Sequence, residues 1–418
     1  MENQLNISIH KFGGASVKNA EAVRNISEIL RDRVSDSKSI IVVSAMGKTT
    51  NRLEKVASEE NEGKARLEME KVAASHISVA NSLELGNDFT DEMWNLFTLQ
   101  NEIEDEDARY DATVALGELA STRILSEYLK LQGWDALWWD VRETIKTDSR
   151  HKGARVDEEK VLEEGRSMMK ELNSHDIIVT QGFIGKSPDG ATTTLGREGS
   201  DYSAALLACA SQANEVNIWK DVQGMHNADP RIFTDTVTIE QMDFHEALEL
   251  SYYGASVIHP RTVKPLQNRN IPLFVKSFIN PEGPFTCIGD FPELEITTPM
   301  FISRKDITRL SLGPSDHSFV GEDHLEDVFA AFSKSGIHVR MMQNSAVQFY
   351  LVYDTDARKQ SKLIQELGKD FHIESTDQLE LLTIRHGDGE LIEKLTAGRK
   401  VLMEQVNPPT VRRLLEVR

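Results

Sequence analysis

The chain has 418 residues, 39% apolar and 27% charged, the composition of a globular protein with material for two or three domains. Its 47 Lys and Arg face 67 Asp and Glu, a formal charge of −20, which argues against nucleic acid or an anionic membrane surface as the main partner, since both need clustered cations. The two cysteines, Cys209 and Cys287, provide neither a disulfide framework nor a Cys-rich metal site.

The opening MENQLNISIH lacks the basic and apolar regions of a signal peptide, and no apolar run reaches the ~20 residues of a membrane span. A cytoplasmic protein is expected, in which the Asn-x-Ser sequences at Asn6 and Asn25 are chance. Along the first two-thirds, apolar β-branched runs at 5–10, 39–45, 176–180, 215–219 and 272–276 read as strands. Between them, helical spacing covers 20–33, 51–60, 64–85, 111–131, 157–172, 202–213 and 245–253. In 111–131, Leu116, Ala120, Ile124 and Tyr128 recur every four residues, one apolar helical face. Strands this apolar, separated by helices, predict an α/β fold with a mainly parallel sheet covered on both faces.

A turn cluster, Asn280-Pro281-Glu282-Gly283-Pro284, closes this part, and Pro292 and Pro299 mark the connection onward. Beyond it the order is strand 307–312, helix 325–335, strands 338–343 and 347–353 and helix 357–367, a small α+β module. A shorter second round follows at 379–385, 390–396, 400–404 and 410–417, consistent with a degenerate tandem repeat. The expected division is 1–298 and 299–418, the latter split into units at about 301–372 and 377–418.

Four strand-end loops carry the polar chemistry. In the first, His10-Lys11-Phe12-Gly13-Gly14-Ala15-Ser16, paired glycines let backbone N–H groups approach a phosphate beside a lysine charge, although a tight turn uses the same glycines. The second runs from Val43 through Ser44 and Gly47 to Thr50. It is not a Walker loop, because that motif needs glycine where Val42 stands, and its hydroxyls also suit a helix cap. The third joins Thr180-Gln181-Gly182 to Leu195-Gly196-Arg197-Glu198-Gly199-Ser200-Asp201. Ser200 and Asp201 open a helix whose N-terminal N–H groups favour anions, and Arg197 between two glycines is not explained by a cap. The fourth is Trp219-Lys220-Asp221-Val222-Gln223-Gly224-Met225-His226 with Arg231 beyond, which reads as a solvated turn or as cations within reach of an anion. None of the 12 histidines has metal-ligand spacing, so no metal ligand is assigned. Convergence of the four loops on one crevice implies a polyanion plus a small carboxylate, and therefore phosphoryl transfer by positioning and charge neutralisation.

Lys11-Phe12-Gly13-Gly14, Gly117-Glu118-Leu119-Ala120-Ser121, Thr193-Thr194-Leu195-Gly196-Arg197-Glu198-Gly199-Ser200-Asp201 and Ile258-His259-Pro260, in this order, resemble the aspartate kinases. The resemblance implies an amino-acid-kinase domain followed by ACT-like regulatory units, with ATP, Mg²⁺ and L-aspartate giving 4-phospho-L-aspartate towards lysine, threonine and methionine. It implies that Lys11 stabilises the transferring group beside the N–H groups of Gly13 and Gly14, and that Asp201 orients Lys11. Arg197 would bind the α-carboxylate, Glu118 the ammonium, and Ser44, Thr50 and Ser200 would complete the pocket. Lys220, Asp221, His226 and Arg231 would contact ATP.

The tail implies a homodimer and an amino-acid effector near Gln343, Asn344 and Ser345. Three departures stand out. Ala15 replaces a hydroxyl residue, and Gly254-Ala255-Ser256 stands where the family has Gly-Ala-Lys. Arg340 and Ala346 replace acidic residues of lysine-inhibited members. Ser256 keeps open an amino-acid-sensing pseudokinase, and a related kinase acting on another carboxylate is the other alternative.

Overall fold

The computed structural model describes residues 5–31, 33, 37–255 and 257–417; Ser256 lies outside the described residues. Two compact units emerge. The first comprises 1–226, 238–251 and 256–294, and the second 227–237, 252–255 and 295–418. The division is therefore not a single cut near 298, because two short segments of the earlier chain belong with the tail.

In chain order the first part contains β1 (Ile7–Phe12), α1 (Ala20–Arg31), β2 (Lys38–Val43), α2 (Thr49–Ser58), α3 (Glu62–Ser82), α4 (Asn87–Leu96), α5 (Glu106–Leu131), β3 (Ala136–Trp139), α6 (Glu158–Ser174), β4 (Ile177–Gln181), β5 (Ile184–Lys186), β6 (Thr192–Thr194) and α7 (Gly199–Ser211). It continues through β7 (Glu215–Lys220), β8 (Met225–His226), β9 (Thr238–Ile239), β10 (Gln241–Asp243), α8 (Phe244–Tyr253), α9 (Pro260–Asn268), β11 (Leu273–Ser277) and β12 (Thr286–Gly289). Eight strands form one sheet in the order β10-β12-β11-β7-β1-β2-β4-β3, parallel except where β11 meets β12. β1 is buried along its whole length between β2 and β7, so its polar residues Ser8, His10 and Lys11 are buried together with Ile7, Ile9 and Phe12.

Strand β1 begins later than the 5–10 expectation and runs to Phe12, so Lys11 is itself a strand residue. Helix α5 starts at Glu106 rather than at 111. Asp105 caps it by accepting from the Ala108 N–H at 2.7 Å, and Glu106 and Asp107 in the first turn suit the helix dipole. Its burial on nearly every face from Thr113 to Leu129 shows it packed inside the unit, against α2 and the sheet. Among the described residues no helix is long and apolar enough to cross a membrane.

The tail holds β13 (Met300–Pro314), α10 (Glu322–Ser335), β14 (Val339–Asn344), β15 (Phe349–Asp354), α11 (Ala357–Leu367), β16 (Phe371–Arg385), α12 (Gly389–Thr396), β17 (Val401–Asn407) and β18 (Thr410–Glu416). Its antiparallel sheet has the order β14-β15-β13-β16-β18-β17. β13 and β16 are long central strands with register shifts around Ile307, where Asp306 and Gln378 have left-handed backbones. The shifts divide the sheet into two halves. One packs α10 and α11 through Val328, Phe332 and Leu363, and the other packs α12 through Ile392. The sequence reading begins the first unit at about 301. Met300–Arg304 pairs with Leu381–Arg385, so the first stretch of β13 completes the shorter second half.

Candidate active site

β1, β2 and β4 end beside the N-terminus of α7, and their loops surround a cavity of about 510 Å³. Its lining brings together Lys11, Ser44, Thr50, Glu118, Arg197, Ser200 and Asp201. The close approach of these walls depends on small residues. A Cβ at Gly182 would stand 2.5 Å from the Ser200 Cβ, and one at Gly117 would stand 2.8 Å from the Ala45 Cβ.

Asp201 is fully buried and binds two ammonium groups, Lys11 Nζ at 2.6 Å and Lys220 Nζ at 3.1 Å. Burial opposes its ionisation, but the two lysines overcome this and hold the carboxyl below its usual range. Glu118 behaves in the opposite way. Burial pushes its pKa up to about 8, against the lowering effect of the Ala45 N–H, which donates to Oε1 at 3.1 Å. Its Oε2 is buried without a hydrogen-bond partner among the described residues, so a cationic or donor group of a ligand would satisfy it. Arg197 is exposed to the cavity and makes no ion pair among the described residues.

Gly13 and Gly14 follow β1 directly. A Cβ on Gly13 would lie 3.7 Å from Lys11 Nζ, and one on Gly14 would collide with the Ala45 carbonyl at 2.7 Å. Lys220 joins the centre through Asp201, whereas Asp221 is exposed in the following turn and His226 lies in β8 opposite Thr238. Arg231 is exposed, belongs to the other compact unit and binds Asp229 at 2.7 Å. Gln343, Asn344 and Ser345 are exposed, the first two on the edge strand β14 and the third in the turn after it. His10 turns away from this chemistry. It accepts from or donates to Ser8, receives the Trp219 indole N–H at 3.3 Å, and burial pushes its pKa down to about 3.

Sequence reasoning missed Glu54, Tyr110, Lys152 and Phe183, which also line the cavity. Lys152, Phe183 and Glu198 share left-handed backbones, at φ 58°, 71° and 57°, a clustering of backbone strain typical of working sites. It also missed the buried Asp111, which the spacing could have indicated, since seven residues along α5 place it on the same face as Glu118. Among the described residues no group of three or more His, Cys, Asp or Glu comes together as a metal site.

Residues 6–277 match the amino acid kinase family. The chain is 31% identical over 399 residues to lysine-sensitive aspartokinase 3 of Escherichia coli, covering 91% of this chain and 87% of that protein. The chain belongs to the aspartokinases, within the amino acid kinase family. It is also 30% identical to the bifunctional aspartokinase/homoserine dehydrogenase 2 of Arabidopsis thaliana, of which it spans only 42%. Among solved structures, E. coli aspartokinase III in complex with aspartate and ADP superposes with a TM-score of 0.84 at 29% identity, covering 98% of this chain and 96% of that one. The aspartate kinase of Clostridium acetobutylicum, at 22% identity and a TM-score of 0.80, shares the fold. The mainly parallel sheet and the ACT-like tail are thus those of aspartokinases.

Proposed function

We propose that the protein is an aspartate kinase, transferring the γ-phosphoryl group of MgATP to the β-carboxylate of L-aspartate to give 4-phospho-L-aspartate and ADP. The observation that carries this reading is the buried Asp201, which binds Lys11 and Lys220 in the wall of a cavity that also exposes Arg197 and Glu118. Those groups match a phosphoryl group, an α-carboxylate and an ammonium. The complex of the E. coli relative with aspartate and ADP supports the same pair of ligands.

The β-carboxylate is already a nucleophile, so no general base is required. Catalysis then consists of holding the carboxylate in line with the γ-phosphorus and neutralising the charge that spreads over its oxygens. Lys11, oriented by Asp201, faces those oxygens, and the N–H groups of Gly13 and Gly14 add donors. Arg197 takes the α-carboxylate in a bidentate pair, and Glu118 takes the ammonium as a carboxylate. Ser44, Thr50 and Ser200 supply hydroxyls around the substrate. Lys220, with Asp221 and His226, serves the nucleotide. A magnesium ion bound with ATP would supply further charge neutralisation, while Asp201 stays committed to its two ammonium groups.

The protein works as a cytoplasmic homodimer, at the first step towards lysine, threonine and methionine. An end-product amino acid binds at the β14 edge near Gln343, Asn344 and Ser345. The deciding experiment incubates the protein with MgATP, L-aspartate and hydroxylamine. Formation of aspartyl hydroxamate well above a Lys11→Ala control is expected, and its absence overturns the reading.

A further inference from the structure

Asp111 lies in the second turn of α5, fully buried, and both of its oxygens are saturated with donors. The Lys152 N–H donates to Oδ1 and Oδ2 at 3.1 Å each, and His151 Nδ1 stands 2.9 Å from Oδ2. Thr194 donates its N–H to Oδ2 at 3.0 Å and its hydroxyl to Oδ1 at 2.7 Å. One carboxylate therefore ties the 151–153 loop to the end of β6, two segments 41 and 83 residues distant from it in sequence. The loop then packs on the residue preceding Arg197. A Cβ at Gly196 would lie 3.5 Å from the Gly153 Cα and 3.9 Å from the Lys152 carbonyl oxygen.

Lys152 consequently lines the same cavity as Arg197, from a backbone that touches the Arg197 turn. Its left-handed φ of 58° is held by the Asp111 bonds, a conformation that costs free energy for a residue with a side chain. The ammonium stands 4.9 Å from the centre of the Tyr110 ring and pairs with Asp107, and the side chain keeps 48% of its exposure. Tyr110 in turn donates to Glu54 at 2.9 Å, so the cation is steered along the rim rather than left to wander in solvent.

We infer that Lys152 is a second cation for the substrate carboxylate, placed beside Arg197 by the buried carboxylate of Asp111. The inference rests on the aspartate-kinase reading for the identity of that substrate. A dicarboxylate with one ammonium carries a net negative charge, and a rim lysine lining the same cavity as Arg197, which makes no ion pair among the described residues, selects it over neutral amino acids. In this arrangement Asp111 is a positioning residue, and Lys152 exchanges its contact with Asp107 for one with the ligand.

The test is calorimetric titration of L-aspartate into the full-length protein without nucleotide, which reads the carboxylate site whether or not phosphoryl transfer occurs. Lys152→Met is expected to weaken aspartate binding roughly tenfold, as loss of a charge-assisted contact does. Lys152→Arg restores most of the affinity. In turnover assays the Lys152→Met loss appears in KM for aspartate, while KM for ATP stays at the wild-type value. Equal aspartate affinity in wild type and Lys152→Met overturns the inference even if the hydroxamate assay is positive. A wild type that binds no aspartate overturns it too. Aspartate binding that depends on Lys152 in a protein that forms no hydroxamate sustains it and removes only the kinase reading.

Discussion

The Lys11 ammonium stands 2.6 Å from Asp201, a carboxylate with no exposure to solvent, and the same carboxylate binds Lys220 at 3.1 Å. Two cations on one buried anion leave a net positive charge facing the cavity, inside a protein whose overall charge is −20. The local field that receives a phosphoryl group is thus set by three side chains and opposes the field of the whole molecule.

Replacing Asp201 by Asn keeps the shape and removes the anion. Hydroxamate formation is expected to fall by about 10²–10³-fold in kcat, the range for losing a preorganised charge at the reacting centre. The pH dependence has a definite sign. Because the folded carboxyl titrates below its usual range, its stabilising contribution is complete above the ordinary Asp range and is lost as the pH falls through the lowered value. Wild type should therefore lose stability on acidification more steeply than Asp201→Asn, as measured by thermal unfolding between pH 6 and 3.

Glu118 gives the opposite pH signature. With a pKa of about 8 it is a neutral acid at pH 7 in the free protein, yet holding an ammonium requires the carboxylate. Aspartate binding should release a proton, and its Kd should fall towards tenfold per pH unit from pH 6 to 8. Calorimetry in buffers of different ionisation enthalpy measures the proton directly, and Glu118→Gln should bind weakly with no pH slope in this range. The raised value also means that the ligand-free protein loses this group's stabilising contribution as the pH rises from the ordinary Glu range towards 8.

The strand-end loops were legible because each concentrates glycine and charge after an apolar run, and the cavity gathers residues from three of them. Other elements gave no such signal. β3 has four residues, too few for an alternation to register, and α9 carries Pro265 in its interior, which argues against a helix from sequence. Asp111 offered only its spacing from Glu118, and Lys152 offered no signal at all. Their significance lies in hydrogen bonds to segments 41 to 83 residues away, which no local motif encodes. In the tail, the first stretch of β13 pairs with β16 rather than with its neighbours in sequence, so a repeat read by chain order assigns that strand to the wrong half.

Gly182 tests how tightly the centre is built. It follows β4 directly, donates its N–H to the Val43 carbonyl at 3.0 Å and faces the first turn of α7. A methyl group there would lie 2.7 Å from the Ser200 Cα, backbone that a rotamer change cannot move. Gly182→Ala is expected to push Ser200 and Asp201 outward, lowering kcat at least tenfold, since small misplacements of reacting groups are costly. Stability should fall by about 1–3 kcal/mol, the usual cost of overpacking, measured by urea unfolding. Wild-type kcat in this variant would show that α7 is not held in place by this contact.

The edge of the second sheet carries the last prediction. β14 is a terminal strand with Met342 51% exposed; Gln343 and Asn344 continue along it in solvent, and Ser345 is exposed in the turn after it. A terminal strand with an exposed apolar side chain invites strand addition, and in the proposed homodimer a second copy of the same edge is its partner. In such a pair each Met342 is repeated across the axis, so Met342→Lys introduces two like charges into one small interface. Under the proposed homodimer, the variant is expected to run as a monomer by light scattering at concentrations where wild type runs as a dimer. It should also lose any response of activity to lysine, threonine or methionine, because an effector held between two edges needs both. A Met342→Lys protein that remains dimeric and keeps its response would place both the interface and the effector away from β14.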